Sequence, residues 1–352
     1  MKKIYPILLI FVLIVFTSPF LKAQIGGRYA FSFLEQPVSA RVAALGSNTV
    51  AINDDDINMG YVNPSLISEK MNNIISLAYV DYFSDINYGF AQYGHSFKEI
   101  GSFVATLQFN NYGKFDYADE TGNVSGSFSA SDAVLNIGWG RSLGKHFRIG
   151  SSLNLIYSGY ESYSSFGFAF DVAGSYFSES GWEMSLVASS IGAQLSTYSP
   201  GGERDPLPFN LQYALSKRLE HVPFRFSFVF DHIEKWDLMY EDPNNPSDGI
   251  DPITGLPQYK TGFSKFADNL MRHVVLGGEV YIGKNVIVRG GYNYRRRQEL
   301  KLNGKPGMAG FSWGFGVRIY KFKFNYARTT YNKNGSPNYI SMTFDLESLL
   351  KK

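Results

Sequence analysis

The chain of 352 residues carries 33 Lys and Arg against 31 Asp and Glu, a formal net charge of +2, and only 18% of it is charged. With 44% apolar residues, 24 Tyr, 29 Phe, 35 Gly and no Cys, the composition excludes a disordered chain, a disulfide framework and a Cys-ligated metal centre. The balanced charge gives no electrostatic case for nucleic acid, and Tyr, Phe and Gly at these levels suit strands and turns rather than helices.

Residues 1–23 read as a signal peptide: Lys2 and Lys3, a nearly continuous apolar run over 4–16, then a polar break at Thr17 and Ser18. An inner-membrane span needs about 20 apolar residues, and this shorter run is interrupted by Pro6. Cleavage after Ala23 leaves Gln24 first, and no later window approaches a spanning helix, so the expected destination is the periplasm, the outer membrane or the medium. Residues 24–72 show no strand alternation. They hold Arg41, the acidic run Asp54, Asp55, Asp56, and Asn63-Pro64, in a segment too short for a convincing independent domain.

From residue 73 the pattern changes to period two. Phe224, Phe226, Phe228 and Phe230 alternate with Arg225, Ser227 and Val229, and Phe311, Trp313, Phe315, Val317 and Ile319 alternate with Ser312, Gly314, Gly316 and Arg318. Strands are predicted near 73–83, 85–97, 101–110, 131–142, 146–158, 166–178, 181–194, 208–218, 223–233, 272–282, 285–297, 309–320, 321–330 and 337–347. Alternation alone fits a soluble sandwich as well as a membrane barrel. The connections separate the two. Short turns at 98–100, 143–145, 179–180, 219–222 and 283–284 and the direct 320–321 junction alternate with mostly longer loops at 111–130, 159–165, 195–207, 234–271, 298–308 and 331–336, and only the first connection, at Ser84, breaks the rule. Short turns at one end and long loops at the other mark a transmembrane barrel with periplasmic turns and outer loops. The expected fold is all-β: a transmembrane antiparallel β-barrel of about 14 strands over 73–352, with 24–72 as an N-terminal plug in its lumen and, from the even strand count, both chain ends in the periplasm.

Residues Ala23 to Gly27, the stretch Ala40-Arg41-Val42-Ala43-Ala44-Leu45-Gly46, Asp54-Asp55-Asp56 and Asn63-Pro64-Ser65, ahead of about fourteen strands, resemble the PorV/PorQ family, its PorQ branch most closely. The resemblance covers essentially the whole mature chain. It implies a FadL-like barrel of the type IX secretion system in the bacterial outer membrane, without enzymatic activity or cofactor. Its implied role is to anchor a PorZ-like surface protein of the cargo attachment complex beside PorU and PorV, in contact with lipopolysaccharide. A FadL-like channel for small hydrophobic molecules is the alternative that the same barrel permits.

Several local patterns are weighed against their plainer readings. Ser142-Leu143-Gly144-Lys145 and Lys260-Thr261-Gly262 match motifs of penicillin-recognising serine enzymes, but the first falls in a strand-to-strand turn and the second in a loop, so chance matching is the reading. The five His residues lack metal spacing and read as surface or turn residues. Arg295 and Arg297, continuing a strand face with Arg289, give a basic strip in the lumen or at the rim, equally consistent with a solvated rim near lipopolysaccharide phosphates. Asp54, Asp55 and Asp56 lack the spaced ligands of a calcium loop and are expected to pair with lumen arginines and hold the plug. Asn110-Asn111-Tyr112-Gly113 ends the alternation of the third strand and is a candidate for a lateral opening in the wall. Within 234–271, Trp236, Met239, Tyr240, Phe263 and Phe266 are the partner-binding candidates, since aromatics and Met are enriched where proteins dock; a lid folded over the outer mouth is the equal alternative.

Overall fold

The computed structural model describes residues 29–239, 262–301, 307–331 and 335–350; the expected signal segment, 1–23, lies outside them. Fourteen antiparallel strands follow in chain order: β1 (Ile74–Asp81), β2 (Asn87–Phe97), β3 (Gly101–Ala118), β4 (Val124–Ser142), β5 (Phe147–Tyr160), β6 (Tyr163–Phe177), β7 (Trp182–Gln194), β8 (Asn210–Arg218), β9 (Phe224–Phe230), β10 (Val274–Ile282), β11 (Val286–Asn293), β12 (Phe311–Ile319), β13 (Phe322–Thr329) and β14 (Asn338–Asp345). Each pairs with its neighbours in sequence, and β1 pairs with β14 from Ile74↔Asp345 to Asp81↔Asn338, which closes the barrel. Among the described residues five short α-helices accompany them: α1 (Ala40–Ala44), α2 (Asn58–Val62), α3 (Gly262–Arg272), α4 (Tyr294–Leu300) and α5 (Leu346–Leu350).

The two faces of the wall decide its surroundings. Leu77, Leu107, Phe170, Val172, Leu276 and Trp313 are exposed on the outside, whereas Ser76, Gln108, Asn136, Ser216 and Asn325 are buried inside. Apolar outside and polar inside is the reverse of a soluble core and the pattern of a barrel whose outer solvent is lipid.

Every strand expected from alternation forms, but two local expectations fail. The segment 111–130 is mostly strand: β3 bulges between Asn111 and Lys114, then pairs on with β4 through Lys114↔Ser129 and Phe115↔Phe128 up to Ala118. Asn110 to Gly113 therefore opens no gap between β3 and β4. Both faces of this extension are largely exposed, so no alternation marked it. Next, β11 stops at Asn293, whose side chain caps α4 by accepting the Arg296 N–H at 2.9 Å, so Arg295 and Arg297 lie on a helix and do not continue the face of Arg289. The first described residues lie at the long-loop end. Ala30 N–H donates to the Pro206 carbonyl (2.9 Å), and Phe31 and Phe33 pack with Val134, Ile156 and Leu207 beneath a long loop.

From there residues 29–72 run through the lumen to β1. Helix α1 starts where Ser39 Oγ accepts the Val42 N–H (3.3 Å) and ends against the wall, where Ser312 Oγ accepts the Gly46 N–H (3.0 Å) and donates to the Ala44 carbonyl (3.0 Å). Val38, Val42, Leu45, Ile52, Met59 and Leu66 are fully buried between plug and wall. The wall is shaped for this seat: a Cβ at Gly150 would lie 2.2 Å from the Pro64 carbonyl carbon, and one at Gly291 would lie 2.1 Å from the Gly46 nitrogen. Glycine at these inward positions lets the plug backbone touch the strands directly.

Candidate functional site

The plug is fastened by ionic contacts centred on Arg41. Its guanidinium grips Glu279 of β10 through Nε and Nη2 at 3.0 Å each, Asp54 at 2.7 and 3.0 Å, and Asp56 at 3.1 Å. Arg289 of β11 donates to Glu279 at 2.8 Å and to Asn325 of β13 at 2.8 Å, and Arg225 of β9 reaches Asp54 and Glu279 at 3.3 and 3.4 Å. Lys323 of β13 binds Asp55 at 2.8 Å. Burial opposes the charge on Asp54, yet Arg41 and Arg225 hold its carboxyl well below the ordinary carboxylate range. Burial likewise opposes the charge on Arg41, and Asp54, Glu279 and Asp56 hold its guanidinium well above its usual value. The planar fork of Arg allows two bidentate pairs at once, which Lys cannot make.

This layer divides the lumen. On the long-loop side a cavity of about 140 Å³ lies between apolar plug residues Leu34, Val42 and Val50 and polar wall residues Asn154, Asp171, Ser190, Asn210 and Gln212. On the turn side a cavity of about 190 Å³ is lined by Arg41, Asp54, Asp55, Asp56, Arg225 and Arg289 with the mouth residues around them. Arg41 and Val42, adjacent in α1, thus face different cavities.

The outer cavity adjoins a step in the wall. Pairing of β7 with β8 ends at Ser189↔Asn210, while β7 continues beside β6 to Gln194. The step begins at a bulge where Ser190 takes φ 58° opposite Asp171. Asp171 holds the bulge by accepting the Ser190 N–H (2.8 Å), the Ser152 hydroxyl (2.5 Å) and the Asn154 amide (2.9 Å). Above it the connecting segment seals the wall, Asp205 N–H donating to Gln194 Oε1 at 3.0 Å. Bulges of this kind re-aim strands next to functional sites.

Asp54, Asp55, Asp56 and Arg289 thus come together in the ionic layer. Arg295 does not; it lies at the outer cavity, 3.6 Å from Asp231. Arg41, Arg225, Glu279 and Lys323 were missed as partners. Glu279 had a readable signal, an acid at an inward position of a spanning strand, where a charge demands a partner. Trp236, Phe263 and Phe266 cluster at the outer mouth, with ring centroids 5.4 Å apart for Trp236 and Phe266 and 6.5 Å for Phe263 and Phe266; Met239 is half-buried, and Tyr240 lies outside the described residues. Helix α3, within what was expected to be loop, carries the two Phe.

Two histidines expected at the surface are buried. His273 stacks on Trp236 and contacts the Asp231 and Trp236 carbonyl oxygens, and His232 meets Glu234 at 2.9 Å. Burial alone would lower the proton affinity of His232, but Asp231 and Glu234 outweigh it and raise its pKa above the ordinary imidazole value. Ser142 ends β4 with Lys145 in the following turn, off any helix, while Lys260 and Thr261 lie outside the described residues. Among the described residues no group of three His, Asp or Glu could hold a metal.

No family model matches the chain, and no curated protein matches it in sequence. Solved structures do match in fold. The toluene transporter TodX of Pseudomonas putida aligns over 90% of this chain and 98% of its own at a TM-score of 0.53 and 11% identity. The toluene transporter TbuX of Ralstonia pickettii aligns over 89% and 98% at 0.51 and 10% identity. The monoaromatic hydrocarbon channel CymD aligns over 90% and 99% at 0.50 and 13% identity. The chain has the fold of these outer-membrane barrels.

Proposed function

We propose that this protein is a plugged outer-membrane channel for small hydrophobic molecules, the FadL-like alternative of the sequence reading. The observation that carries it is the outer cavity, enclosed between plug and wall at the step beside β7. Its volume of about 140 Å³ is close to the ~150 Å³ that accommodates one benzene-sized molecule. Apolar Leu34, Val42 and Val50 on one side and Asn154, Asp171 and Asn210 on the other suit a one-ring compound with an apolar body and a polar substituent. The barrel fold shared with hydrocarbon channels supports the same reading.

The second reading, an anchor for a PorZ-like surface protein of a type IX attachment complex, is favoured by the exposed aromatic cluster. Phe263 is 82% exposed, Phe266 50% and Trp236 48%, an apolar patch at the outer mouth that a docked protein would cover. It draws on the sequence resemblance for the identity of the partner.

Uptake of a radiolabelled phenol into proteoliposomes separates the two. A channel gives uptake above empty liposomes that falls when Val50→Trp fills the cavity, with Phe263→Ser neutral. Absence of uptake, together with loss of a co-purifying surface protein in Phe263→Ser, would replace the channel by the anchor.

A further inference from the structure

The turn-side mouth carries an arrangement that neither reading uses. Arg218 at the end of β8, Lys284 in the β10–β11 turn and Arg318 near the end of β12 come from three separate hairpins and converge on the 190 Å³ cavity beneath the plug. Lys284 and Arg318 have no ion-pair partner among the described residues, and the Arg218 guanidinium lies over the Tyr281 ring at 4.3 Å, without a carboxylate. Deeper in the same cavity Arg225, 5% exposed, has an Nε without a hydrogen-bond partner.

The charge count points the same way. Seven Arg and Lys line the cavity against three Asp, and even with Glu279 bonded beneath them the cations are in excess. The plug acids engage Arg41, Arg225 and Lys323, which leaves the mouth cations facing open space. The volume is several times the ~30 Å³ share of one water, enough for a small oxyanion with part of its hydration shell.

We infer that the turn-side cavity is a binding site for a small soluble oxyanion of the phosphate or dicarboxylate class. Arg218, Lys284 and Arg318 attract and hold the anion at the mouth, with Arg225 adding its positive charge from below. Arg forks match the paired oxygens of phosphate and carboxylate, while Lys284 contributes a point charge. The site does not depend on whether the barrel conducts.

The test is calorimetric titration of inorganic phosphate, then succinate, into the full chain in neutral detergent, with the thermal midpoint followed in parallel. The expected result is saturable binding of one anion per barrel, weakened by added salt and accompanied by a raised midpoint. Lys284→Gln with Arg318→Gln should weaken binding by about tenfold or more. Lys98→Gln with Lys145→Gln, exposed turn cations elsewhere on the same rim, should leave it unchanged. If the double variant fails to assemble, Lys284→Gln alone, at an exposed turn position, carries the comparison. No saturable binding, equal loss in both variant pairs, or stabilisation by anionic-lipid nanodiscs but not by free phosphate would each overturn the assignment.

Discussion

Replacing Arg41 by Met tests what keeps the plug in place. Three cations, Arg41, Arg225 and Arg289, face three carboxylates, Asp54, Asp56 and Glu279, in one buried network. Met preserves most of the bulk of Arg41 and removes its charge, so one negative charge is left uncompensated. Breaking one partner out of a buried pair costs about 3–5 kcal/mol. Glu279 keeps Arg289 at 2.8 Å, and the Asp54 side chain retains 25% exposure, so the lower end, about 3 kcal/mol, is expected here. At 1.36 kcal/mol per tenfold, that raises the population with an unseated plug by roughly a hundredfold. The assay is open probability in planar bilayers, with proteolysis of residues 29–72 as a second readout. Adding Glu279→Gln to Arg41→Met should recover about 1–3 kcal/mol, because the two residues share the contact. If Arg41→Met alone matches the wild type in conductance and protease resistance, the ionic layer does not hold the plug. The apolar burial of Val42, Leu45 and Ile52 then does.

Three further outcomes follow from particular contacts. Gly150→Leu places a side chain where the Pro64 backbone sits, at an overpacking cost of about 1–3 kcal/mol; a disulfide between Ser65→Cys and Ser175→Cys, whose hydroxyls lie 2.6 Å apart, should form in the parent and be lost in the Gly150→Leu background. Phe315→Arg on the lipid face should impair assembly by about 2–4 kcal/mol, seen as loss of heat-modifiable migration, while Ser125→Arg on the exposed β3–β4 hairpin should not. His232 faces Glu35, Asp231 and Glu234, with Arg295 opposing. Its raised pKa means that its contribution is complete below the ordinary imidazole value and is lost as pH rises through the folded value, so thermal stability should fall as the pH is raised above the ordinary imidazole value, and His232→Gln should remove that fall.

The candidate site was less legible than the wall that holds it. Asp54, Asp55, Asp56 and Arg289 stood out because charges in a charge-poor chain need partners, yet which partners they take follows from barrel closure. Arg41 meets Glu279 across 238 positions, a pairing that exists only because β9, β10 and β11 are neighbours around the lumen and α1 is threaded beside them. Arg295 was placed with Arg289 by extending a strand period that Asn293 ends with a helix cap. Exposed on both faces, the β3–β4 extension carries no period to read.

By itself the sequence determined the fourteen strands, their order and the apolar outward side of each. Alternation at period two and the lengths of turns and loops are local properties, written residue by residue. Tertiary structure alone decided that Ala30, Phe31 and Phe33 lie at the long-loop mouth, that the ionic layer splits the lumen into two cavities, and that cations from three hairpins meet at one mouth. These depend on positions far apart in the chain brought within a few ångströms by closing β1 onto β14, and no local pattern encodes that distance.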